Sequence, residues 1–147
     1  VFRRSERTQE HVVVLFLDLD GFKPVNDYYG HEAGDRILQA AAQRFDDVLR
    51  DADTVARVGG DEFVILLEGF RDMDSARQDG AACAQRLVTE LEALRFEHQD
   101  IRLSCSVGIA IHPADGNAPD SLLRAADQAM YSIKGKSGQR YAFSSAF

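Results

Sequence analysis

The sequence predicts an α+β fold: a ferredoxin-like βαββαβ core in a mostly antiparallel five-stranded sheet, with helices packed against it. Three observations lead there. Short β-branched and aromatic runs alternate with longer stretches of helical apolar spacing, in the order β-α-α-β-β-α-β-α-β. Two of the short runs are separated only by Gly59-Gly60-Asp61, which is hairpin spacing. At 147 residues and 45% hydrophobic content, the chain has the length of one domain and the apolar material for one core.

The first strand is read from His11 to Leu17, HVVVLFL, a run suited to a buried central position. It stops at Asp18-Leu19-Asp20-Gly21. Pro24 lies where a first helical turn tolerates it, so a short helix is expected over Lys23 to Tyr29, ending at Gly30. A second helix is expected from Asp35, as N-cap, to about Arg50, with Ile37, Leu38, Ala41, Phe45 and Val48 on one face. Thr54 to Val58 and Glu62 to Leu67 form the hairpin. Met73 to Leu94 carries Ala76, Ala84, Leu87, Val88 and Leu91 at helical intervals, with Gly80 a weak spot. From Ile101 to Ile111 apolar residues alternate with small or polar ones, the pattern of a strand with one apolar face. HPADGNAPDS is a loop, Pro119 to Ile133 a last amphipathic helix, and Tyr141 to Phe143 an edge strand. In such a fold the first strand is central, and its C-terminal end lies beside the hairpin tip.

Composition excludes several functions. Asp and Glu number 24 against 17 Lys and Arg, a net charge of −7, which argues against a protein built to grip a nucleic acid polymer. A polyanionic ligand would need a metal ion or a few placed cations. The longest apolar run, Val12 to Leu17, is far shorter than the roughly 20 residues of a membrane span, pointing to a cytoplasmic domain. Cys83 and Cys105 fit neither a zinc spacing nor a disulfide framework, and read as small buried side chains in a reducing compartment. VFRRSERTQE lacks the apolar segment of a signal peptide, and its abrupt start suggests that residues 1–147 are one domain of a longer polypeptide. Any membrane attachment would come from segments outside this sequence.

Asp18 and Asp20, two apart at a strand end, share a face, and the hairpin turn carries Asp61 and Glu62. Carboxylates crowded at one tip repel at a cost on the order of kcal/mol per pair, which a divalent cation relieves. Oxygen ligands without histidine or cysteine favour magnesium or manganese, and such sites hold the oxygens of a phosphoryl or nucleotidyl transfer in line. The residues alone leave open a metal-phosphate site or a plain acidic loop. Asp20, before Gly21, reads first as a helix cap, which leaves Asp18 the better ligand. Gly59-Gly60 alone is turn punctuation.

Four ordered blocks, FLDLDGFKPVNDYYGHEAGD, RVGGDEF, CSVGIAIHPADG and ADQAMYSIKGKSG, together resemble the GGDEF family, the diguanylate cyclases of bacterial second-messenger signalling. The resemblance runs from about His11 to Phe143. It implies a fold similar to adenylyl cyclase and polymerase palm catalytic domains, and condensation of two GTP into cyclic di-GMP with release of two pyrophosphates. It implies that magnesium (or manganese) is held by Asp18, the Leu19 carbonyl and Asp61, with Asp61 and Glu62 as the catalytic residues and Glu62 completing the acidic cluster for metal binding or proton removal. Asn26 and Asp35 match the guanine-reading pair; an amide plus a carboxylate suits guanine's mixed edge, and disfavours a different nucleotide. Gly59 and Gly60 match positions of close approach to the nucleotide, and the Gly21, Phe22 and Lys23 amides resemble those that cradle phosphates at a helix start. Lys134 matches a phosphate-binding lysine. Where the family usually continues with glycine and then a basic residue, this chain has Ser137 and Gly138; Lys136 and Arg140 are the neighbouring cations that can stand in. Weaker substrate affinity is expected before lost chemistry.

Arg50-Asp51-Ala52-Asp53 matches an R-x-x-D inhibitory product site, with Arg50 and Asp53 as its ligands. His31 is expected to make a structural hydrogen bond, and His98 and His112 to be loop residues without ligands. The resemblance further implies that catalysis needs a homodimer, each protomer presenting one GTP, and that sensor or phosphodiesterase domains accompany this one. The competing reading is a catalytically silent module that binds GTP or cyclic di-GMP.

Overall fold

The computed structural model describes residues 10–96, 101–136 and 138–145. His98, Ser137 and the N-terminal segment VFRRSERTQ lie outside the described residues. The strands are β1 His11–Asp20, β2 Thr54–Arg57, β3 Glu62–Phe70, β4 Ser104–His112 and β5 Tyr141–Phe143. The helices are α1 Phe22–Tyr29, α2 His31–Val48, α3 Met73–Ala93 and α4 Pro119–Ile133. The element order and the α+β class are as expected. The sheet runs β2-β3-β1-β4-β5, with β1 in the middle. β1 pairs antiparallel with β3 and β4, and β2 with β3, but β5 joins β4 in parallel, so the sheet is mixed.

Strand periodicity divides β1 between two layers. Val13, Leu15, Leu17 and Leu19 enter the larger core with Ile37 and Phe45 of α2 and Leu87 and Leu91 of α3. Val14 and Phe16 turn to the opposite face, against Leu122 and Ala126 of α4. The even-numbered series continues with Asp18 and Asp20, so both carboxylates belong to the α4 face.

Four expectations are corrected. α2 begins at His31, so Asp35 lies inside its second turn and does not cap it; Gly30, at φ 96°, ends α1 and starts α2, leaving no linker between them. Asp20 is not a helix cap either, because α1 starts directly after Gly21, whose left-handed φ of 86° makes the turn. β4 is buried on both faces rather than one. Its second face consists of Ser106, Gly108 and Ala110, small residues that let α4 lie directly on the backbone. His112 is no loop residue: it ends β4 buried, with Nδ1 3.0 Å from the Gly116 carbonyl oxygen. Gly80 also proves more than a weak spot in α3, since a β-carbon there would press on Val13.

Gly108 sets how closely α4 can approach. A β-carbon at this position would fall on the Ala126 carbonyl oxygen and the Met130 amide of α4. Backbone cannot swing aside as a side chain can. Gly108→Ala is therefore expected to destabilise the protein by about 3 kcal/mol, read as a lowered denaturant midpoint in chemical unfolding.

Candidate active site

The C-terminal end of β1 and the β2–β3 turn meet as the sequence suggested. Asp18 lies opposite Glu62 across the β1–β3 pair and opposite Ser106 across the β1–β4 pair. The Leu19 amide donates to the Asp61 carbonyl oxygen at 3.1 Å, and the Val58 amide to the Glu62 carbonyl oxygen at 2.9 Å. Arg57 braces the turn by donating to the Gly60 carbonyl oxygen at 2.8 Å. Gly59 has a role beyond the turn, because a β-carbon there would collide with the Glu62 carboxylate.

Lys134, the C-cap of α4, closes the acidic cluster from the other side. Its Nζ lies 3.0 Å from Asp18 Oδ2 and 2.7 Å from Asp20 Oδ1. The second Asp20 oxygen accepts from Ser106 Oγ at 2.8 Å, so Asp20 is occupied by side chains rather than by a helix end. Asp18 Oδ1 is buried without a hydrogen-bond partner. Burial pushes the Asp18 carboxyl up to about 6, a rise that Lys134 opposes and neighbouring Asp61 reinforces. Glu62 is raised as well, by burial, then by Asp18 and by Asp127 of α4. Burial works against the Lys134 charge, but its bonds to Asp20 and Asp18 outweigh that and hold its pKa above the usual lysine value.

These donors fit a hard divalent cation. Asp18 offers a buried oxygen without a hydrogen-bond partner, beside the Asp61 carboxylate that helps raise its pKa. Among the described residues no three His, Cys, Asp or Glu side chains already form a metal cage.

One cavity borders the cluster at Asp20 and Lys134, and a second lies beside Arg57. The first, of about 470 Å³, is lined by Gly21, Ser104, Ser106, Lys134, Lys136 and Arg140. The α1 N-terminus, with the Gly21, Phe22 and Lys23 amides, adjoins it at Gly21; the Phe22 side chain is in the core. Gly138 has a φ of 82°, a left-handed conformation in which a basic side chain would be strained. The other cavity, of about 310 Å³, is lined by Asp35, Leu38, Gln39, Ala42 and Arg57. Asn26 stands on neighbouring α1, with Nδ2 3.3 Å from His31 Nδ1, so the expected structural bond of His31 falls on Asn26 itself. Gly34 makes room for that amide, since a β-carbon there would overlap Asn26 Oδ1.

Arg50 and Asp53 pair with each other elsewhere, with Arg50 Nη2 3.2 Å from Asp53 Oδ1 and the Arg50 amide 2.9 Å from Asp53 Oδ2. The guanidinium also lies over Phe70, 5.5 Å from the ring centroid. The pair borders a cavity of about 190 Å³ shared with Leu67, Cys83 and Arg86. This cavity is near the far end of β3 from Glu62. Burial pushes the Cys83 thiol up to about 11, so it is a poor nucleophile.

Sequence reasoning missed Ser106, Asp127, Arg57, Gly34 and Arg86. Ser106 and Asp127 carried a faint signal, Ser106 as a hydroxyl among the small residues of β4's second face and Asp127 as a carboxylate beside the apolar positions of α4. Arg57, Gly34 and Arg86 carried none without the three-dimensional arrangement.

Comparison with known proteins agrees with this arrangement. The family model for the diguanylate cyclase GGDEF domain matches residues 1–140. The bifunctional diguanylate cyclase/cyclic di-GMP phosphodiesterase MucR of Pseudomonas aeruginosa is 41% identical over 142 residues, 96% of this chain but only 20% of MucR. An EAL/GGDEF domain protein from M. capsulatus is 46% identical in its crystal structure, with a TM-score of 0.80 over 92% of this chain and 86% of that one. The GGDEF domain of TpbB from Pseudomonas aeruginosa is 34% identical, with a TM-score of 0.88 over 99% of this chain and 89% of that one. The family match, the relatives and the shared fold agree, and the chain belongs to the GGDEF domain family.

Proposed function

We propose that this chain is the catalytic domain of a diguanylate cyclase, joining two GTP into cyclic di-GMP at the interface of a homodimer and releasing two pyrophosphates. The observation that carries the reading is the buried, unpartnered Asp18 oxygen beside Asp61 and Glu62. The names of relatives support it, MucR's above all. Because the chain spans a fifth of MucR, additional sensor or phosphodiesterase domains in the full polypeptide are part of the proposal.

Asp18, the Leu19 carbonyl and Asp61 would hold magnesium, which supplies positive charge at the α-phosphate and lowers the pKa of the ribose 3′-hydroxyl. Asn26, oriented by His31, and Asp35 hold the guanine from two adjoining helices. Lys134, Lys136, Arg140 and the Gly21–Lys23 amides hold the β- and γ-phosphates on the other side of the cluster. The 3′-oxygen attacks the α-phosphorus of the partner's nucleotide, the bond to pyrophosphate breaks, and Glu62 takes the hydroxyl proton. Its raised pKa suits it to that role. Each protomer presents one nucleotide, so two domains must face each other for two bonds to form. The silent-module reading draws its support from Gly138, whose conformation excludes the family's basic residue. The R-x-x-D pair and its cavity serve product inhibition on the cyclase reading and binding of cyclic di-GMP on the silent-module reading.

An artificially dimerised protein incubated with GTP and magnesium is expected to form cyclic di-GMP, detected by chromatography. Asp61→Ala should reduce turnover by at least about 100-fold. A folded dimer that binds GTP and yields no product would favour the silent module. For feedback, Arg50→Ala should raise the cyclic di-GMP concentration for half-inhibition by about tenfold, the loss of a bidentate charged contact.

A pH dependence follows from Asp18. Its folded-state pKa, raised from 3.8 to about 6, means that folding favours the protonated acid. That contribution is complete below the ordinary value and lost as pH rises through about 6. In metal-free protein Asp18→Asn should therefore be more stable than wild type near neutral pH, by about 1–2 kcal/mol after allowance for screening. The gap should close as pH falls toward about 4, which urea unfolding in EDTA across this range would measure.

A further inference from the structure

Lys134 occupies a revealing place. Its ammonium, at the wall of the larger cavity, lies between two carboxylates, 3.0 Å from Asp18 and 2.7 Å from Asp20. Lys134 holds Asp18 Oδ2, so a metal on the free Oδ1 would share one carboxylate with the ammonium and repel it. The backbone of Lys134 is fixed, its amide donating to the Met130 and Tyr131 carbonyl oxygens at 3.1 and 3.3 Å. Gly135, at φ 80°, then turns the chain away. Any change of partner must come from the flexible side chain. Among the described residues, Lys134 is the ammonium bonded into the cluster of Asp18, Asp20, Asp61 and Glu62, while Lys136 borders the same cavity with no ion pair to the cluster.

We propose that Lys134 is a built-in substitute cation: without metal it neutralises the Asp18–Asp20 pair, and metal competes with it for Asp18. The inference rests on the reading of this site as a metal-dependent GTP site. When metal and nucleotide arrive, Lys134 leaves Asp18 for the phosphates. Asp20, held from its other oxygen by Ser106, stays in place. The same lysine thus opposes binding of bare metal and favours binding of the metal–nucleotide complex. A residue that only gripped phosphate would have no effect on bare metal. One that only supplied background positive charge would be matched by Lys136.

The test is Mn²⁺ binding to the protein without nucleotide, followed by the electron paramagnetic resonance of free Mn²⁺. Lys134→Gln should bind Mn²⁺ about tenfold more tightly than wild type, the equivalent of one lost charged hydrogen bond. Lys136→Gln should stay within about twofold, as expected for a solvated charge. In EDTA, Lys134→Gln should melt below wild type, and Mn²⁺ should raise its melting temperature by more. GTP in the presence of metal should show the opposite order, with Lys134→Gln binding more weakly. Unchanged or weaker Mn²⁺ binding by Lys134→Gln overturns the proposal, as does an equal gain in Lys136→Gln. Should the variant fail to fold, the wild-type Lys134 ammonium resonance decides by NMR. Its exchange-protected signal should disappear at saturating Mg²⁺, and persistence would overturn the idea. Wild type that fails to bind GTP with metal overturns the underlying site reading instead, a result separable from the Mn²⁺ comparison.

Discussion

The structure depends on a carboxylate at the end of its central strand. β1 can be central only if both its faces are covered, and they are, by α2 and α3 on one side and α4 on the other. Strand alternation then carries Asp18 and Asp20 onto the α4 face, where the apolar cover ends. A charge there needs a counter-charge, because water is largely excluded and the Asp61–Glu62 turn adds repulsion. α4 supplies it at its final residue. The placement of that ammonium in turn requires α4 to lie close on β4, which Gly108 permits. Core packing and site electrostatics are one arrangement viewed at two ends of a helix.

Glycine recurs wherever this arrangement is tight. Gly108 admits a helix backbone, Gly34 admits the Asn26 amide and Gly59 admits the Glu62 carboxylate. In each case the missing β-carbon makes space for a backbone or side-chain group, not for a turn. Such positions weaken local secondary structure, by roughly 1 kcal/mol for a glycine within a helix. Their presence at three tight contacts indicates that the chain gives up local stability where backbone and polar groups must approach closely.

Much of this was legible in the sequence. Apolar periodicity located every element, and the Gly59-Gly60 spacing located the hairpin that meets β1. The errors share a cause. Asp20 and Asp35 were assigned as caps because a carboxylate before a helical pattern ordinarily caps it, but Gly21 and Gly30 make both helix starts by backbone conformation alone. β4 was read as one-faced because serine, glycine and alanine look polar or neutral in one dimension. In three dimensions they are the small residues on which a helix can lie. The links of Lys134 to Asp18 and Asp20 span more than 110 positions in sequence, and no local pattern encodes them.

The departure at Gly138 has a physical basis in the same region. Gly135 and Gly138 both adopt left-handed conformations, so the segment after α4 makes two turns that a side chain-bearing residue would strain. These turns return the chain to the sheet, where the Val107 amide donates to the Arg140 carbonyl oxygen at 2.9 Å just before β5. Arg140 is thereby placed at the wall of the cavity that also contains Lys134. Its guanidinium lies 3.6 Å from Glu92, whose carboxylate also accepts from Ser104 Oγ at 2.6 Å. On the proposed reading, a phosphate entering this cavity must draw Arg140 from an exposed carboxylate and Lys134 from two partly buried ones. The first exchange is inexpensive because water already screens that pair. The second requires a cation to replace the ammonium at Asp18. Metal and phosphate therefore belong to one binding event: the metal satisfies the acids that the lysine leaves, and the phosphate receives the lysine.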